Sequence, residues 1–86
     1  VGASLGEGVL VNHQVCVGHD AQVGDFAQLC PGVCISGGCV IGEGALLGTL
    51  AGAIPLKRVG AWATLGAGSV ALKDVADGAA VVRLTR

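Results

Sequence analysis

Residues 15–48 read VCVGHDAQVGDFAQLCPGVCISGGCVIGEGALLG, and the spacing of their aliphatic residues decides the fold. Val17, Val23, Leu29, Ile35, Ile41 and Leu47 recur every six positions. The same step reaches Leu5 and Val11 upstream, and Ala53, Val59, Leu65 and Ala71 downstream. Gly follows seven of these twelve residues, as in Val23-Gly24 and Ile41-Gly42. Four positions after each comes a small residue, from Val9 and Val15 to Ser69 and Val75, with Lys57 the one exception. An amphipathic helix repeats near 3.6 residues and a half-buried strand near 2, so neither explains this period. A period of six with an aliphatic first residue and a small fifth residue predicts short strands joined by corners. Three such units make a triangular coil of 18 residues, and Gly in second place eases the corner backbone.

The expected fold is therefore all-β, a parallel β-helix of about four coils, with twelve hexads between Leu5 and Ala76. Residues 1–76 are assigned to the prism. Residues 77–86 are assigned to a tail that leaves the register and returns along it. Lys57 in a small inward slot implies a local bulge or an outward turn, because burying an unpaired ammonium is costly. The composition agrees with a narrow interior. Of the 86 residues 52% are hydrophobic, yet there is one Trp, one Phe, no Tyr and no Met, while Gly occurs 16 times. A broad core would need large side chains to fill it.

Charge and composition exclude several roles. Residues 1–56 hold four acids and no base, and residues 57–86 hold five bases and two acids, giving −4 and +3. The basic end suits a phosphate-bearing ligand. Nucleic acid is not expected, since there is neither a dense basic stripe nor a set of stacking aromatics. No run of about 20 apolar residues is present to span a membrane. The chain opens on Val1 without an initiator Met, as a fragment of a longer protein would. Cys16, Cys30, Cys34 and Cys39 contain no CxxC spacing and read as reduced, small apolar residues of a cytoplasmic protein. Cys16 stacks under Cys34 at the coil period, within disulfide reach.

The same period places His19 under Gly37 and Pro55, and His13 under Pro31 and Thr49. His19 is followed by Asp20, and the stretch NHQVCVGHDAQVGDFAQLCPG over residues 12–32 is the most specific in the chain. It resembles the left-handed β-helix acyltransferases, and within them the sialic-acid O-acetyltransferase and UDP-amino-sugar N-acetyltransferase group. The stretch from Gly38 to Gly78 follows that group's C-terminal pattern. The resemblance implies a left-handed prism and a homotrimer. It implies acetyl transfer from acetyl-CoA to an amino or hydroxyl group of a sugar or nucleotide sugar, with no metal. By the resemblance, His19 is the general base, Asp20 raises its basicity, and the Gly37 N–H steadies the oxyanion. Imidazole titrates close to neutrality and suits that task. Gln28, Thr49 and Ala67 match acetyl-CoA contacts; Asn12 and His13 match substrate contacts.

The chain departs from the group's pattern at four places. Gln28 replaces a histidine, Leu50 replaces a glycine, Lys57 fills a small slot, and the chain closes on Arg83-Leu84-Thr85-Arg86. Two other roles fit less well. A β-helix carbonic anhydrase needs three histidines on its metal, and the chain has two. An ice-binding face needs a ladder of threonines, whereas Thr49, Thr64 and Thr85 do not stack. A prism without catalysis, serving as scaffold or oligomerisation module, is the alternative reading.

Overall fold

The computed structural model describes residues 2–81, and all of their regular structure is β. The fold is a left-handed parallel β-helix of about four coils. Three faces are built from two-residue strands. Face A stacks Ser4–Leu5, Gln22–Val23, Val40–Ile41 and Arg58–Val59. Face B stacks Leu10–Val11, Gln28–Leu29, Leu46–Leu47, Thr64–Leu65 and Ala80–Val81. Face C stacks Cys16–Val17, Cys34–Ile35, Gly52–Ala53 and Val70–Ala71. Every pairing is parallel, and up to residue 71 every register offset is 18, as in Cys16 with Cys34 and Val23 with Ile41.

Because strand side chains alternate, the second residue of each strand points inward and the first outward. The inward residues form three columns: Leu5, Val23, Ile41 and Val59 from face A, Val11, Leu29, Leu47, Leu65 and Val81 from face B, and Val17, Ile35, Ala53 and Ala71 from face C. Leu29, Ile35, Ile41, Leu47 and Leu65 are buried completely or nearly so. The small fifth residues, such as Ala21, Ala27, Cys39 and Ala45, are also buried and fill the corners. On the lowest described rung Leu5 and Val11 are 53% and 46% exposed despite their inward position.

Each corner up to Gly68 is a two-residue turn whose second residue lies in the left-handed region. Twelve such residues run in steps of six from Gly2 to Gly68; six are Gly and six are Gln14, Asp20, Phe26, Leu50, Leu56 and Trp62. On each edge Gly alternates with a larger residue. The edge between faces A and B reads Gly8, Phe26, Gly44, Trp62 and Gly78. A Cβ on Gly8 would meet the Phe26 ring at 2.6 Å, and one on Gly44 would meet the Trp62 ring. Gly32 is covered in the same way by Leu50, and Gly38 by Leu56. A left-handed corner therefore leans its side chain back over the preceding coil, where only Gly leaves room.

Two expectations need correction. The register breaks before Asp77. Val75 pairs with Val59, and Ala80 with Thr64, at an offset of 16. The twelfth hexad is thus cut to four residues, Ala71 to Asp74, and Val75 takes a first position rather than a fifth. From there the chain up to Val81 continues the coil instead of turning back along it; residues 82–86 lie outside the described residues. Nor does Lys57 cause a bulge. Val40 N–H donates to Lys57 O at 3.0 Å, as Gln22 N–H donates to Cys39 O at 2.8 Å one coil below. Lys57 is half-buried in its slot.

The corner rule makes a direct prediction. Gly44→Ala and Gly78→Ala both place a Cβ in the left-handed region, at a cost of about 1–2 kcal/mol each. Only Gly44→Ala also collides with a ring, since nothing lies within 4 Å of the Gly78 position. Denaturant unfolding is expected to show the larger loss for Gly44→Ala, and Trp62→Ala is expected to remove the difference.

Candidate functional site

His19 occupies the first turn position on the edge between faces C and A, delivered there by the strand Cys16–Val17. The stacking read from the sequence holds. Gly38 N–H donates to His19 O at 2.9 Å, and Leu56 N–H donates to Gly37 O at 3.0 Å. The imidazole rises along the edge and lies over Gly37: a Cβ there would stand 2.6 Å from His19 Nε2. Gly37 is not in the left-handed region. Its lack of a side chain therefore makes room for the ring and is not needed for backbone freedom.

The Gly37 N–H is free of any acceptor among the described residues. The physical reason lies one coil further on. At the equivalent turn positions of the neighbouring edge, Glu7 N–H donates to Asp25 Oδ1 at 2.8 Å and Ala61 N–H to Asp77 Oδ1 at 2.9 Å. The residue that would serve Gly37 in this way is Pro55, which has no acceptor in its side chain. One edge thus combines a ring nitrogen and a donor without a partner.

Asp20 follows His19 in the left-handed turn position, with φ of 59°. His19 Nδ1 and Asp20 Oδ2 are 3.4 Å apart, and the two side chains are 76% and 73% exposed. That is a long hydrogen bond by ordinary geometry, and an exposed pair of this kind adds little to stability. In the single chain Asp20 flanks the imidazole without clamping it.

The other candidates lie elsewhere. Asn12 and His13 are exposed on the edge between faces B and C. Thr49 and Ala67 stand above His13 on that same edge and are also exposed. Gln28 points outward from face B, between Leu10 and Leu46 in the ladder. Within one chain the fold therefore gathers His19, Asp20 and Gly37 on one edge and Asn12, His13, Thr49 and Ala67 on another, with face C between them. Pro55 is the contributor that sequence reading passed over; its position two coils above His19 was visible, but its consequence for the Gly37 N–H was not. No group of three or more His, Cys, Asp or Glu among the described residues is arranged to hold a metal ion, and no helix there is long and apolar enough to cross a membrane.

Comparison with known proteins gives this architecture its context. No family model matches the chain. Serine acetyltransferase 4 of Arabidopsis thaliana is 36% identical over 85% of the chain, which covers 23% of that protein. The acetyltransferase domain of PglB from Neisseria gonorrhoeae superposes with a TM-score of 0.93 at 38% identity, over 95% of this chain and 40% of that one. The same domain has been solved with acetyl coenzyme A. PerB from Caulobacter crescentus, solved with CoA and GDP-perosamine, gives a TM-score of 0.77 at 31% identity, over 95% of this chain and 48% of that one. The chain has the hexapeptide-repeat acyltransferase fold, and the proteins it resembles are acetyltransferases. It spans about a quarter of the length of the curated serine acetyltransferases it matches.

Gly37→Ala tests the stacking at the His19 edge. The new methyl group displaces the imidazole, which is the movable end of a side chain, and leaves the backbone unstrained. Thermal unfolding is expected to change by no more than about 1 kcal/mol, while the NMR signals of the His19 ring shift. Unchanged ring signals would place the imidazole away from Gly37.

Proposed function

We propose that this chain is the catalytic prism of an acetyl-CoA-dependent acetyltransferase acting on an amino or hydroxyl group of a sugar or nucleotide sugar. The observation that carries the reading is the pairing of His19 Nε2 with the acceptor-free Gly37 N–H on one edge. Two of its structural neighbours were solved with acetyl coenzyme A or with CoA and GDP-perosamine, which supports both the donor and the sugar class. Serine acetyltransferases match the same prism, so the sugar acceptor rests on the narrower resemblance of residues 12–32.

The residues fit a thioester donor. The edge between faces B and C carries Gly48, Thr49, Gly66 and Ala67 in succession, small residues that leave backbone amides within reach of an extended chain. Thr49, Ala67 and Gln28 would hold it by van der Waals contact and hydrogen bonds. Acetyl-CoA supplies the activated acyl group. His19 takes the proton of the acceptor amine or hydroxyl at Nε2 and returns one to the leaving sulfur. The Gly37 N–H donates to the oxygen on which charge develops, a role in which one donor is worth about 2.7–4 kcal/mol. Asp20 orients the ring through Nδ1. Asn12 and His13 bind the acceptor.

Since the two groups of residues occupy different edges of one prism, a complete site needs a second prism. We infer a cyclic homotrimer in which the His19 edge of one protomer meets the edge between faces B and C of its neighbour. Closed cyclic assembly is the usual outcome for identical subunits, and the exposed Leu10, Leu46, Leu50 and Leu56 supply apolar surface for it. The setting is cytoplasmic in this reading.

Calorimetry with acetyl-CoA, paired with an acceptor screen, tests the proposal. His19→Ala is expected to cut turnover by about 10²–10⁴-fold while leaving acetyl-CoA affinity close to that of the unaltered chain. Gln28→Ala is expected to weaken acetyl-CoA binding. A folded trimer that binds no acetyl-CoA would overturn this reading and leave the prism as a scaffold.

A further inference from the structure

Every Lys and Arg among the described residues gathers in one place. Lys57, Arg58 and Lys73 stand at the upper end of the edge between faces C and A, the edge that carries His19. Lys57 closes the corner that leads into the strand Arg58–Val59, and Arg58 takes the outward position on the top rung of face A. Lys73 lies in the shortened corner between Ala71 and Val75. Arg58 and Lys73 are exposed and Lys57 is half-buried. Among the described residues the one ion pair is that of His19 with Asp20, so none of the three cations has a carboxylate partner. Asp74 is the acid of this cluster, and its Oδ1 accepts the Arg58 N–H at 2.9 Å.

The register fixes how far the cluster stands from His19. Val17, Ile35, Ala53 and Ala71 are successive rungs of one column. Ile54 N–H donates to Ala71 O at 3.3 Å, so the ladder holds at its top. Lys73 follows Ala71 by two residues, as His19 follows Val17. Three strand spacings put its backbone about 14 Å above that of His19. The candidate donor contacts climb in the same direction, since Thr49 and Ala67 stand two and three coils above His13. In the trimer inferred above, the His19 edge lines the cleft toward the neighbouring protomer, and the cations open on that cleft rather than on the three-fold axis.

That height selects the ligand. Cations without partners suit phosphate, which they hold by charge-assisted hydrogen bonds. The diphosphate of a nucleotide sugar lies within one sugar ring of the reacting amine or hydroxyl, far short of the cluster. The thioester sulfur of acetyl-CoA is separated from its first phosphorus by about thirteen bonds, an arm as long as about four extended residues, or about 14–16 Å. An arm laid along the edge with its sulfur at His19 therefore brings its phosphate to Lys73.

We propose that Lys73, with Arg58 and Lys57, binds the phosphate of the acyl donor and makes the chain selective for phosphorylated pantetheine thioesters. The inference rests on the acetyl transfer proposed above and assigns the other end of the donor. His19 serves the thioester and Lys73 the phosphate, on one edge of one prism. The cluster forms and breaks no covalent bond.

Calorimetry with three donors tests it: acetyl-CoA, acetyl-phosphopantetheine and acetyl-pantetheine, which lacks phosphate. Lys73→Ala is expected to weaken the first two by about 10–100-fold, the range of a hydrogen bond to a charged group, and to leave the third unchanged. Arg58→Ala is expected to act with the same selectivity, and Lys73→Arg to keep most of the affinity. Added salt should weaken the two phosphorylated donors alone. Circular dichroism establishes that each variant keeps the β-helix. Acetyl-CoA binding that survives both alanine substitutions, an equal loss for all three donors, or acetyl-phosphopantetheine binding no tighter than acetyl-pantetheine would each overturn this inference and leave the acetyl-transfer reading standing. A folded chain that binds none of the three would overturn both.

Discussion

The corner residue in the left-handed region is the constraint on which the rest of the prism depends. It turns the chain by a third of a coil in two residues and keeps the inward columns in line. Each non-glycine residue held there costs about 1–2 kcal/mol, and six stand there among the described residues. The cost is offset where the side chain leans back over the preceding coil and covers backbone. Phe26 over Gly8, Leu50 over Gly32, Leu56 over Gly38 and Trp62 over Gly44 all do this. Glycine content and large exposed side chains, which look unrelated in the composition, are two halves of one arrangement.

The inward columns were legible because a period of six admits few architectures and every sixth residue obeyed it. The alternation at the corners was not. At a step of six the fourth position mixes Gly with Gln, Asp, Phe, Leu and Trp and shows no rule. Only at a step of 18 do the edges separate into Gly and larger residues. The shortened twelfth hexad was hidden for a different reason. Val75 is acceptable both as a small fifth residue and as an aliphatic first residue, so the loss of two residues left no trace in the apolar pattern. Lys57 misled in the opposite sense: its charge suggested a distorted backbone, whereas its carbonyl keeps the ladder bond to Val40 N–H.

The site was legible to the extent that it follows from stacking. His19 under Gly37 comes directly from the coil period, and the structure places the ring over that glycine. The donor freedom of Gly37 required a comparison with Asp25 and Asp77, whose carboxylates take the equivalent N–H groups on another edge. The outward direction of Cys16 and Cys34 could have been read from strand alternation, because both occupy the sixth position, but their apolar character argued for burial. How far the His19 edge stands from the edge carrying Thr49 and Ala67 was the consequence least visible in a linear sequence. On the function proposed above, it turns a candidate active site into an assembly problem, in which neither edge is sufficient alone.

Subunit complementation tests that claim most directly. One variant, His19→Ala, damages the first edge; another, Ala67→Trp, fills the groove at the second. Each alone is expected to be nearly inactive. After dissociation and random reassembly of equal amounts, a shared site restores activity to about a quarter of the unaltered level, because one interface in four receives both intact edges. Activity that stays at the level of the separate variants, in trimers shown to have mixed, would place the whole site within one prism and contradict the account.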